Sequence, residues 1–101
     1  MKMLLIVFRD SLDQEIRRLL KELNTRAFTE ASDLVGMGET GSTFNSFGWP
    51  GVNSIILTAV EGEHAQRVVH GLKAFRDRMA RQQHGAKIPV RVFVLPCEQA
   101  I

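Results

Sequence analysis

The sequence predicts a small α+β domain with the element order β-α-β-β-α-β. Three observations carry that prediction. Short apolar runs at residues 3–8 and 52–60 have the length and side-chain type of buried strands. Stretches beginning at Ser11 and at Glu61 repeat apolar residues at helical spacing. Residues 88–95 alternate between two faces, with Pro89 and Pro96 at the ends.

The chain has 101 residues, 45% of them hydrophobic. That fits a single domain, 1–101, with one core, and is too short for two. Its surface-to-volume ratio makes association a natural way to bury leftover apolar surface.

The first strand, Met3 to Phe8, is continuously apolar and ends at a turn, Arg9-Asp10. Ser11 is then expected to cap a helix, with Gln14 three residues on as its capping-box partner. Leu12, Ile16, Leu19, Leu20 and Leu23 form the buried stripe of this helix, and Asn24 is its stop. Residues 26–35 alternate weakly, with Phe28, Glu30 and Ser32 set against Ala27, Thr29 and Ala31, as in an edge strand. Residues 36–51 hold five of the eight glycines and Pro50, which is loop chemistry. A loop of that length is expected to be functional.

After the strand at 52–60, Glu61 and Glu63 suit the positive end of a second helix. Its stripe is Ala65, Val68, Val69, Leu72, Phe75 and Met79, and Gly85 ends it. In the last strand Ile88, Val90, Val92 and Val94 share one side, and Arg91, Phe93 and Leu95 the other.

This order is the split βαβ, or ferredoxin-like, arrangement: a four-stranded antiparallel sheet with both helices on one face. Strands one and three take the centre and strands two and four the edges. One sheet face is then left uncovered, although strands one and four are apolar on both sides. Burying such a face at ~25 cal/mol per Å² would drive association. The expectation is a homo-oligomer with its sheets facing inward.

Net charge is +2, yet residues 64–91 carry seven Lys and Arg against one acid, Asp77. With no Tyr in the chain and most of its Phe residues in core positions, this reads as a solvated helix face, not a nucleic-acid surface. Cys97 is the single cysteine, which excludes an internal disulfide and a Cys-only zinc cage. His64 and His70 do not share a helix face, so no metal site is expected within one chain. No nucleophile stands at recognisable spacing from a base, and no enzyme is expected. The start lacks a secretory h-region and no run is long enough to span a bilayer, so a cytoplasmic protein is expected.

Two stretches carry a family resemblance. Val-Gly-Met-Gly-Glu-Thr-Gly at 35–41 leaves strand two, and Val-Phe-Val-Leu-Pro-Cys-Glu-Gln-Ala-Ile ends the chain at 92–101. Together with Trp49-Pro50-Gly51-Val52-Asn53, they resemble the PII signal-transduction proteins, and most closely their short-loop branch. The resemblance implies a trimeric regulator in nitrogen signalling. Such a regulator binds a small effector in clefts between subunits and controls a transporter or enzyme through its loop. By the same resemblance, Gly36, Gly38, Asn53 and Arg91 are candidate effector residues, and Lys87, which with Arg91 flanks the last strand, joins them. Glu39, Thr40 and Trp49 are the candidate partner contacts in loop 36–51.

Asn53 stands where a phosphate-binding Lys is expected, and no glycine-rich phosphate loop precedes Arg91. Adenine nucleotide binding is therefore expected to be weak, with a small anion such as bicarbonate or a carboxylate as the competing ligand. The alternative is a metal-tolerance or metal-sensing trimer comparable to the CutA proteins, which share the fold.

Overall fold

Strand β1 (Lys2–Arg9) alternates strictly between the two faces of a sheet: Leu4, Ile6 and Phe8 are buried, while Met3, Leu5 and Val7 are partly exposed. It is central in a four-stranded sheet of order β2-β3-β1-β4, with β2 (Thr29–Leu34), β3 (Asn53–Val60) and β4 (Val90–Pro96). All three pairings are antiparallel. The computed structural model describes residues 1–35 and 52–101. The expectations placed on Gly36, Gly38, Glu39, Thr40 and Trp49 lie outside those residues.

The apolar strands sit in the centre and the polar and proline-bearing ones at the edges, as the sequence predicts. Register across β3, β1 and β4 puts Ile56, Ile6 and Val92 in one row, and Thr58, Leu4 and Val94 in the next, all on the helix side. Leu4, Ile6 and Ile56 are fully buried there, against Ile16 and Leu20 of α1 (Asp13–Glu22) and Val68 and Leu72 of α2 (Gly62–Gln82). The opposite face carries the rows Leu57–Leu5–Phe93 and Ala59–Met3–Leu95. Leu57, Phe93 and Leu95 are more than 40% exposed, so no element of the described chain covers this face.

One local expectation fails. Ser11 does not cap α1. It lies in a 3-10 turn, Asp10–Leu12, and neither the turn nor α1 has a side-chain cap. The tight turn instead drives Leu12 into the core, where it is 8% exposed, and Ser11 faces solvent. Acids at Asp13 and Glu15 occupy the first turn, where the helix dipole favours them.

The helix ends behave as read. Asn24 (φ 57°) follows α1 and Gly85 (φ 81°) follows α2, both in the left-handed region that closes helices. The helices approach closely at Gly71, where an added Cβ would lie 2.8 Å from Leu23 Cδ1. Strand β2 is shorter than the 26–35 expected. Its register shifts between Ala31 and Leu34, and Asp33 adopts φ 60°.

Candidate functional site

Three polar residues share one end of the open sheet face. Arg9 ends β1 and lies opposite Asn53, the first residue of β3. Two residues back, Val7 pairs with Arg91 of β4, so Arg9 and Arg91 are diagonal neighbours, roughly 7–8 Å apart at the usual sheet spacing. The backbone closes this end: Arg9 N–H donates to the Pro89 carbonyl at 3.2 Å and Asp10 N–H to the Val52 carbonyl at 2.8 Å. Asn53 is buried, at 7% exposure, while Arg91 is exposed. Lys87, exposed in the link between α2 and β4, precedes Pro89 by two residues at the same end.

The structure thus brings Asn53, Arg91 and the neighbourhood of Lys87 together, and adds Arg9, expected in a turn with Asp10 but found as the last residue of β1. The available signal was its parity. Arg9 continues the series Met3, Leu5, Val7, so once that side is the open face, a cation at position 9 belongs to it. A guanidinium pair beside an amide can hold a phosphate or carboxylate in a fork geometry. Strands β2 and β4 occupy opposite edges with two strands between them.

On the helix side, the same end is built from hydroxyls and carboxylates. Ser54, fully buried, donates to Asp10 Oδ1 at 2.7 Å. Ser32 donates to Glu30 Oε2 at 3.1 Å, and the hydroxyls of Ser32 and Ser54 lie 3.5 Å apart. Arg17 bridges Asp13 Oδ2 and Glu30 Oε2, at 3.0 Å each, with Phe28 under its guanidinium at 5.9 Å. Burial, and then the facing Glu30 carboxyl, push the Asp13 carboxyl above its ordinary value. Burial also pushes Glu30 upward, but hydrogen bonds from Arg17, Asp13 and Ser32 outweigh it and hold Glu30 below its ordinary value.

The histidines do other work. His64 Nε2 lies 2.9 Å from the Leu23 carbonyl oxygen and 2.8 Å from Thr25 Oγ1. A carbonyl only accepts, so Nε2 carries the hydrogen and donates, tying the start of α2 to the end of α1. Among the described residues no three His, Cys, Asp or Glu side chains come together as a metal cage, and no helix is long and apolar enough to cross a membrane.

Comparison with solved structures finds the same fold. CPII, a nitrogen regulatory PII-like protein from Thiomonas intermedia K12, bound to ADP, AMP and bicarbonate, superposes with a TM-score of 0.69 at 20% identity, covering 99% of this chain and 94% of that one. The apo form of CPII gives 0.65 at 19% identity, covering 92% and 84%. A PII-like signalling protein from Thermus thermophilus gives 0.55 at 20% identity, covering 92% and 81%. A comparison with curated proteins finds no match. The family model described as nitrogen regulatory protein P-II matches residues 1–101, and the chain belongs to that family.

Proposed function

We infer that the protein works as a homotrimeric regulator that reads a small anionic effector and passes the signal to a partner transporter or enzyme through loop 36–51. The observation that carries this reading is the cationic end of the open sheet face. There Arg9, Asn53 and Arg91 lie beside the point where the chain returns from the loop at Val52. The apolar remainder of that face supplies the surface for sheet-inward assembly, which would bring the end of one subunit's β2 toward another's β4. Gly36 and Gly38 would then complete the effector cleft with Arg91 and Lys87, while Glu39, Thr40 and Trp49 meet the partner.

The ligand class follows from the donors. Two guanidinium groups and an amide suit a phosphate or a planar carboxylate. The relatives' structures hold ADP, AMP, bicarbonate and, in one, acetate. With Asn53 in place of a cation, a small anion fits this site at least as well as a nucleotide.

Calorimetry with ADP, AMP, ATP and bicarbonate tests the reading. Saturable binding of at least one is expected, weakened about tenfold or more in Arg91→Ala, the loss of one or two charge-assisted bonds. No binding of any of the four would remove the effector site. Replacing residues 39–48 by Asn-Gly is expected to keep the trimer and abolish partner capture.

A further inference from the structure

We propose a second anion site on the helix-bearing side of the sheet, for a carboxylate or phosphate carried on a small apolar body. It lies at the far end of β1 from the cationic cluster just described: Lys2 and Arg9 are seven residues apart, about 24 Å at roughly 3.4 Å per residue. The site is a groove of about 420 Å³ between α2 and the ends of β1 and β4. Such a volume falls within the range of small-molecule pockets.

Its construction follows from the strand pattern. Lys2 is an even-numbered residue of β1 and therefore stands on the helix side, below the core residue Leu4. Val94 pairs with Leu4 on the same side but is 46% exposed, because α2 does not reach over the outer edge of β4. The uncovered strip between helix and edge is the groove. Its floor is apolar, from Val69 and Val94, and its walls carry Lys2, His70 and Lys73.

Three features suit an anion. The groove is lined by no acid, although the chain holds eleven. The side chains of Lys2, His70 and Lys73 make no hydrogen bond or ion pair among the described residues. The neighbouring acid, Glu61, lies 3.8 Å from the amino group of Met1. Gly62, the first residue of the 21-residue α2, also lines the groove. An added Cβ at Gly62 would meet nothing within 4 Å, so a ligand can approach the backbone there. The apolar floor distinguishes this site from a bare phosphate cradle: it rewards a hydrocarbon body as well as the charge.

Amide chemical-shift titrations with benzoate, phenyl phosphate and inorganic phosphate test the assignment. Saturable shifts are expected at Lys2, Val69, His70 and Val94 with benzoate or phenyl phosphate, with inorganic phosphate weaker by about tenfold or more. In the double variant Lys2→Gln/Lys73→Gln, affinity is expected to fall by about tenfold or more. Both residues lie outside the core, so the variant's other resonances should keep their positions. Shifts that rise linearly through the millimolar range, or saturable shifts unchanged in the double variant, would overturn the site. Inorganic phosphate binding as tightly as phenyl phosphate would overturn its apolar half. The Arg91→Ala protein keeps this groove intact, so it should bind here like the parent whether or not the other effector site holds.

Discussion

Asp13 and Glu30 share one guanidinium, with Arg17 at 3.0 Å from each, yet the fold moves their acidities in opposite directions. A raised Asp13 means the folded state disfavours its charge; a lowered Glu30 means the folded state favours that one. Stability from Glu30 is present above its ordinary value of 4.5 and lost as pH falls through its lower folded value. Ionising Asp13 costs stability as pH rises through its raised value, and acidification restores it.

The variants should therefore split. Asp13→Asn removes the disfavoured charge and offers Glu30 an N–H donor, so it should raise neutral-pH stability by about 0.5–1 kcal/mol. Glu30→Gln should lower it by a similar amount. Urea unfolding at pH 7 and pH 4 checks both, and the gain from Asp13→Asn should shrink at the lower pH.

Residues 5 and 6 of β1 separate assembly from folding. Ile6 is fully buried under the helices, and Ile6→Asp should unfold the chain, at a cost above about 3 kcal/mol. Leu5 faces the open side between Leu57 and Phe93. On the proposed assembly, Leu5→Asp should leave a folded monomer in place of a trimer. Light scattering with circular dichroism distinguishes the two, and a parent that is already monomeric at micromolar concentration would sink the assembly.

His64 joins the helix ends through Leu23 and Thr25. His64→Ala should cost about 1–2 kcal/mol by leaving the Leu23 carbonyl without that donor. Thermal melts measure it, and an unchanged melting temperature would show that water replaces the imidazole at no cost.

Gly85 closes α2 at φ 81° with open space where a Cβ would stand, so only backbone strain opposes a side chain. Gly85→Ala should destabilise by about 1 kcal/mol. The same melts decide whether the left-handed turn is required.

The element order, the strand order and nearly all of the core stripe were legible because they depend on period and hydrophobicity alone. Leu12, Ile16 and Leu20, and then Ala65, Val68, Leu72 and Phe75, are buried as their spacing predicts. The start of α1 was not legible. A Ser three residues before a Gln is a capping signal, but burying Leu12 required a tighter turn, and tertiary packing overrode the local preference. Arg9 was missed because its role depends on which face is left open. The carboxylate pair was hidden too, since Asp13 and Glu30 are 17 positions apart and only the docking of α1 beside β2 joins them. The groove at Lys2 could not be foreseen, because it depends on how far α2 overhangs β4.

The alternation of β1 carries a consequence for variation. Positions 4, 6 and 8 answer to the chain's own interior, and their substitutions succeed or fail in a single molecule. Positions 3, 5 and 7 stand on the open face, so in the proposed assembly their worth depends on how many copies a cell makes. Dilution tests one set and leaves the other untouched. One eight-residue segment thus places two demands side by side: even positions answer to their own helices, and odd positions, in that assembly, to a neighbour.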